Sequence, residues 1–309
     1  MLTPTTFPGS TLPKRNLFVV NSPRRAPDPA TKPVKLRWKK EVLIVGFFYA
    51  IYSVVRNRFG SALLESGGSP EQPFNHAIQV IKVERFVGLF HEHPIQEFFL
   101  PYPWLVKFFN VFYGTAHFII TIITFITLFV VSRSRFVRWR NALAFTTALA
   151  LVGFSLYPLM PPRLMNDTGA YGGARLAAIT DPPGKTDFHD TLKEYGGLWS
   201  FDSGAMTKVS NQYAAMPSLH CAWATWCALA LWPIFRRRWA RALLVIYPFV
   251  TVLCIIVTGN HFWLDAIGGL LTLAVGWQFG NWFEDINQQR LLRGATEADV
   301  VRETVASVD

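Results

Sequence analysis

The sequence predicts an all-α fold, a polytopic membrane bundle of about six transmembrane helices. Three observations predict it. The 309-residue chain is 51% apolar and 15% aromatic but only 16% charged, with a positive mean hydropathy, a balance unlike that of a soluble globular domain. Apolar runs near membrane-crossing length recur along it. The basic excess behind its net charge of +10 is gathered in three clusters that border apolar runs, with nine Lys or Arg in 1–40, four Arg in 133–140 and four in 236–241. Such clusters fix topology through the positive-inside rule rather than bind phosphate backbones. Nucleic acid is therefore not an expected partner, and the lipid bilayer is.

Residues 1–40 carry seven prolines and a single acid, too little apolar surface to offset the entropy of ordering, and read as a flexible basic cytoplasmic tail that touches anionic lipid. No short apolar core with a small-residue cleavage site follows, so no cleaved signal peptide is expected. The membrane domain is expected over 41–285. Its first run, 42–55, is short against the roughly 20 residues a span needs, and Trp38 and Phe59 extend it at the interfaces. Residues 74–100 form an interfacial amphipathic segment: Ile78, Ile81, Val83, Phe86, Val87 and Phe90 recur at helical spacing, while Lys82, Glu84, Arg85 and Glu92 are expected on other faces. His91 and His93 have no further metal ligands near them in sequence and read as exposed loop histidines.

Residues 108–131 are long enough to cross and hold Tyr113 and His117 one helical turn apart. An ionisable group there faces the protein interior or a water-filled cavity, so His117 is either a site residue or a structural histidine bonded to a neighbouring helix. Residues 142–159 form the next span, ended by Pro158, Pro161 and Pro162. The 160–213 segment, rich in Gly, Pro, Asp and Thr, is too long for a mere connector and is expected to cap the site or select substrate from the extracytoplasmic side. Its Lys185 and Lys208 read as solvated charges. Three more spans follow at 217–235, 242–258 and 262–283, the middle one carrying Pro248, before a polar cytoplasmic tail at 286–309 with a short helix near 287–293. Cys221, Cys227 and Cys254 lie inside apolar runs without zinc or redox spacing, which predicts no disulfide framework.

The chemistry gathers at two helix starts, Met216-Pro217-Ser218-Leu219-His220 and Gly259-Asn260-His261-Phe262-Trp263-Leu264-Asp265. His261 and Asp265 are four apart, so on a helix the carboxylate lies on the face of the imidazole and accepts its Nδ1 proton. Six spans place all three basic clusters on the cytoplasmic side together with both termini, and Arg163, His220 and His261 at the opposite face. The expected location is the plasma membrane. An aspartate-held histidine facing a second histidine and an arginine carries nucleophilic phosphoryl transfer. His261 attacks phosphorus, Asp265 holds its tautomer, and His220 protonates the leaving oxygen. Backbone N–H groups of Ser218 and Leu219 are expected to meet an anion, and Arg163 to clamp phosphoryl oxygens. The scheme requires neither metal nor cofactor.

At these residues the chain resembles the membrane branch of the type 2 phosphatidic acid phosphatase (PAP2) superfamily: Pro217-Ser218-Leu219-His220 matches its Pro-Ser-x-His motif and His261-x-x-x-Asp265 its third motif. The resemblance implies His261 as nucleophile, Asp265 as its partner and His220 as general acid. The superfamily's usual first motif, a lysine followed after six residues by Arg-Pro, is absent, and Ile255 stands where the third motif has arginine. Those departures, with Pro161-Pro162-Arg163-Leu164, Asn110-x-x-Tyr113-x-x-x-His117 and Gly268-Gly269, resemble the inositolphosphotransferase branch that includes inositol phosphorylceramide synthase. That resemblance implies transfer of a phospho-headgroup, inositol phosphate among the candidates, from a phospholipid donor to a lipid or sugar alcohol, with Tyr113 and His117 among the substrate-binding residues; the compact loops leave a polyprenyl-phosphate or glycolipid substrate equally open. Two alternatives stay open from the residues alone: a lipid phosphate phosphatase or pyrophosphatase using the same histidine with water as acceptor, and a non-enzymatic transporter or scaffold.

Overall fold

The structure, a computed structural model, describes residues 37–58, 69–177, 187–197 and 212–306. The expected tail before residue 37, the extension at Phe59, and Lys185 and Lys208 lie outside the described residues. Helix α1 spans Trp38–Arg58, α2 Glu71–Phe86, α3 Glu92–Phe99, α4 Pro103–Val131 and α5 Arg133–Leu156. A 3₁₀ turn at Pro162–Leu164 and short helices α6 (Ala174–Ala177) and α7 (Thr191–Tyr195) follow, then α8 (Leu219–Leu231), α9 (Arg238–Val257) and α10 (Trp263–Ala306). Among the described residues there is no strand, and one isolated bridge pairs Leu159 with Ala214.

The local boundaries follow from the sequence. Pro103 starts α4 where its missing N–H costs nothing. Extended Ser132 lets α5 begin one residue after α4 ends. Tyr157 and Pro158 close α5, because a proline cannot continue the hydrogen-bond ladder.

Helices stand at all six expected span positions, and two of them, α4 and α9, are long and apolar enough to cross a membrane; α8 is apolar but shorter. Large apolar side chains such as Ile119, Ile122, Ile126 and Val130 on α4, and Leu243, Ile246 and Phe249 on α9, are exposed. An apolar surface of that kind suits hydrocarbon rather than water.

Helices α5 and α10 meet through glycine. A Cβ on Gly276 would come within 2.3 Å of Thr146 Oγ1 on α5, and one on Gly280 within 2.6 Å of the Ala142 nitrogen, a small-xxx-small contact that lets two backbones approach. Fully buried Trp226 of α8 donates to the Trp139 carbonyl at 2.9 Å. Polar ties collect at the same end of the bundle: Arg140 pairs with Glu41, Arg138 with Asp285 at 3.5 Å, and Asn141 Nδ2 donates to Glu284 at 3.3 Å.

Two expectations are corrected. The last helix does not stop near residue 283 and give way to a separate short one, but runs unbroken for 44 residues to Ala306. No proline interrupts 284–306, good helix formers fill it, and Glu284 is held by Asn141 and by Gln288 at 2.7 Å. The amphipathic segment is also rotated relative to its expected face. Phe74, Ala77, Val80, Ile81 and Glu84 are buried, as is Glu92, whereas Val83, Phe86 and Val87 are exposed. Beside a lipid phase the apolar side has two favourable destinations, so apolarity alone does not say which face is inner.

Candidate active site

The end of α5, the start of α8, the end of α9 and the start of α10 meet at one place. Gly259, at φ +64°, makes the turn out of α9, a conformation that glycine adopts without strain. The Asn260 and His261 N–H groups fold back onto the Ile255 carbonyl at 3.0 and 3.3 Å. The chain then enters α10 with His261 and Asp265 one turn apart. His261 Nδ1 lies 3.2 Å from Asp265 Oδ2, which also accepts the Phe262 N–H at 3.0 Å. Both residues are buried, Asp265 completely. The spacing therefore does what the sequence predicts, with the addition that one carboxylate oxygen serves ring and backbone together.

His220, in the first turn of α8, faces His261 edge-on with ring centroids 5.7 Å apart. Tyr113 stacks on His220 at 4.4 Å, and His117 meets it at 4.3 Å. Tyr113 and His117 thus stand beside the histidine pair, and His117 Nδ1 lies 3.1 Å from the Tyr113 carbonyl. A neutral His117 donates there through Nδ1 and carries its lone pair on Nε2.

Ser218 and Leu219 divide. The Ser218 N–H donates to the Asp265 carbonyl at 2.9 Å, so it is spent on the protein and is not directed at an anion as the sequence reading has it. This bond joins the heads of α8 and α10. Leu219 is the first residue of α8, and first-turn N–H groups of a helix have no partner within it. Gly269 permits the contact: a Cβ there would sit 2.2 Å from the Ser218 carbonyl oxygen.

Arg163 is buried at the edge of this arrangement and is taken up by protein acceptors. Its Nε donates to Asn260 Oδ1 at 3.0 Å, Nη1 to Asp190 Oδ2 at 2.9 Å, and Nη2 to Gln212 Oε1. Its own N–H donates to the Gly259 carbonyl at 2.8 Å. Three of its five side-chain N–H donors therefore tie the turn before His261 to Asp190 and Gln212, two separate points of the 160–213 region.

The segment 187–197 is fastened from beneath by two amides. Fully buried Gln96 accepts the His189 N–H at 2.8 Å and donates to the carbonyls of His189 at 3.0 Å and Val257 at 3.1 Å. Asn110 Nδ2 donates to the carbonyls of Thr191 and Gly196, each at 2.8 Å. Gln96, Asp190, Gln212 and Asn260 were not legible as site residues; only the glycine before Asn260 marks the turn. His93 Nε2 lies 3.6 Å from Glu97, a local pair on α3.

A family model described as the PAP2 superfamily matches residues 78–279, well over half of the chain. The chain belongs to the PAP2 superfamily. As a PAP2 protein it is of phosphatase or phosphotransferase kind, and with its two apolar helices this indicates a membrane enzyme. The matched region contains α3 to α9 and the head of α10, with every residue of the histidine arrangement. No curated protein and no solved structure matches the chain.

Proposed function

We propose that this PAP2 protein is a membrane phosphotransferase that moves a phospho-headgroup from a lipid donor to an alcohol acceptor through a phosphohistidine on His261. The single observation that carries the reading is the buried His261–Asp265 pair with the His220 ring at 5.7 Å. Asp265 engages Nδ1, so the neutral imidazole presents the Nε2 lone pair. That nitrogen forms the N–P bond while the P–O bond to the leaving group breaks, and His220, as imidazolium, gives its proton to the departing oxygen. The positive charge that develops on His261 is offset by the Asp265 carboxylate.

In the second half, neutral His220 takes the proton of an acceptor hydroxyl as its oxygen attacks phosphorus; the N–P bond breaks and both histidines return to their starting states. Tyr113 and His117 pack round His220. Pro161-Pro162-Arg163, Asn110, Tyr113, His117 and the Gly268-Gly269 pair favour the inositolphosphotransferase-like branch, and hence an inositol-phosphate or related headgroup. Arg163 acts by fixing the Asn260-His261 turn, with a direct bond to a phosphoryl oxygen as its further role.

The orientation belongs to the same proposal. Basic residues cluster where α4 meets α5 and where α8 meets α9, and the histidine arrangement is at the other end of those helices. By the positive-inside rule the termini are cytoplasmic and the site is extracytoplasmic in a multi-pass protein of the plasma membrane, with α1, α5, α8 and α10 completing the six spans.

The test incubates detergent-solubilised wild type and His261→Ala with a panel of phospholipids and polyprenyl phosphates, with and without alcohol acceptors, following free phosphate and new phospholipid. A new lipid dependent on His261 is the expected result and names the donor. Release of phosphate alone, unchanged by acceptors, replaces the transferase by a lipid phosphatase; no His261-dependent product from any donor leaves a non-enzymatic membrane role.

A further inference from the structure

Two fully buried carboxyl groups lie outside the histidine arrangement: Glu84, in the last turn of α2, and Glu92, in the first turn of α3. Both reach the head of α10. Glu92 Oε1 accepts the Trp263 N–H at 3.1 Å, and Glu84 Oε1 accepts the Leu264 N–H at 2.7 Å. The preceding N–H, that of Phe262, goes to Asp265 at 3.0 Å. Successive donors that a helix start leaves without internal partners are thus met by three different carboxyl groups, two of them from residues 171 and 180 positions earlier in the chain.

The remaining oxygens decide the protonation. Among the described residues Oε2 of Glu84 and Oε2 of Glu92 have no donor, while the two Oε1 atoms are brought side by side on the adjacent N–H groups of Leu264 and Trp263. Two ionised carboxylates side by side in a buried place repel. One proton between them removes the repulsion and gives each second oxygen a partner. Burial, and then the adjacent Glu92 carboxyl, push the Glu84 carboxyl up to about 10, against the pull of the Leu264 N–H. The other titratable group acting on Glu84 is Asp265, which raises it further and is itself bonded to His261.

We infer that Glu84 and Glu92 form an acid–carboxylate pair, sharing one proton, that clamps the turn bearing His261 and Asp265 to α2 and α3 and so sets the position of the attacking histidine. Neither group touches the reacting atoms; both are positioning residues, and their role rests on the reading of His261 as nucleophile. The pair also gives the clamp a pH dependence. Folding raises the Glu84 carboxyl above its ordinary value of 4.5, so the folded state holds a proton that the unfolded chain releases. The resulting stability is fully present in acid and is lost as pH rises toward about 10.

Two readouts test this on the whole protein in detergent: the thermal midpoint from about pH 6 to about pH 10, and protection by orthovanadate, a mimic of the phosphoryl transition state. Glu84→Gln retains an oxygen for Leu264 and supplies an amide N–H to Glu92, so it copies the protonated acid without a proton to lose. The wild-type midpoint is expected to fall over the whole of that pH range, and that of Glu84→Gln to fall less steeply. Vanadate affinity is expected to persist in Glu84→Gln and to weaken roughly 100-fold in Glu84→Ala, the cost of misplacing a reacting group by about 1 Å. Equal pH dependence in wild type and Glu84→Gln overturns the shared proton, and wild-type vanadate affinity in Glu84→Ala overturns the positioning role. If Glu84→Ala does not fold, the Glu84→Gln pH comparison decides alone. Vanadate protection that survives His261→Ala defeats the nucleophile reading instead, and the pair then stands or falls on the pH comparison.

Discussion

Replacing Asp265 by Asn separates two jobs that one carboxylate performs. Oδ2 accepts both the His261 ring N–H, at 3.2 Å, and the Phe262 backbone N–H, at 3.0 Å. The backbone donor is fixed, so the Asn carbonyl oxygen takes the Oδ2 position; the reversed orientation would place an amide NH₂ against it. With the oxygen there, His261 keeps its Nδ1–H tautomer and its lone pair on Nε2. What Asp265→Asn loses is the negative charge that stabilises the imidazolium-like phosphohistidine. Unit charges about 4 Å apart at an effective dielectric constant of about 20 interact by about 4 kcal/mol, close to a 10³-fold change in rate. Asp265→Ala loses the tautomer control as well and leaves the Phe262 N–H without an acceptor, so it falls further. The assay is single-turnover formation of an acid-labile, alkali-stable phosphoenzyme with the donor named by the lipid panel. Phosphoenzyme formation by Asp265→Asn within tenfold of wild type would refute the electrostatic role. Equal losses in Asp265→Asn and Asp265→Ala would refute the backbone lock on the side chain.

Three further substitutions probe the frame around the histidines. Gly269→Ala drives a methyl group into the Ser218 carbonyl, 2.2 Å from the new Cβ; a stability loss of at least about 1–3 kcal/mol and weaker vanadate protection are expected in thermal unfolding. Arg163→Ala leaves partly buried Asp190 without its cation and is expected to cost about 3 kcal/mol, the low end for breaking a buried pair, in denaturant titration in mixed micelles, with Arg163→Lys in between because one ammonium does not span Asn260, Asp190 and Gln212. Gln96→Ala strands backbone groups of His189 and Val257, at about 1–3 kcal/mol for each group left buried and unpaired. Limited proteolysis is expected to cut Gln96→Ala within 187–197 while the wild type stays intact there.

The histidine arrangement was legible because it is local: His261 and Asp265 are separated by one helical turn, and Pro217 and Ser218 announce the helix that His220 enters. Helix positions were legible from apolar runs for the same reason. The support of the site was not, because it depends on partners distant in sequence and on a rule that changes sign at a membrane surface. Glu84 and Glu92 look like solvent-facing charges of an amphipathic segment until Glu84 is seen on the face that Phe74, Ala77, Val80 and Ile81 bury. The Ser218 N–H looks like an anion donor until the Asp265 carbonyl is seen to occupy it. Residues 284–306 are polar enough to read as a tail, yet polarity does not stop a helix that has good formers, no proline and buried anchors at Asn141 and Glu284.

The bond from the Ser218 N–H to the Asp265 carbonyl makes the separation of His220 and His261 a property of the main chain. Asp265 grips one histidine with its side chain and the helix of the other with its backbone, so a side-chain replacement at 265 leaves the spacing of the two helix starts in place even where it frees the His261 ring. The spacing of the helix starts is thereby decoupled from the grip on the His261 ring. On the proposed reading, room for bulkier headgroups has to come from side chains rather than from the helix starts, beginning with the Tyr113 and His117 rings packed against His220. Attempts to change substrate preference should begin there, because moving either helix would close or open the gap for every substrate at once.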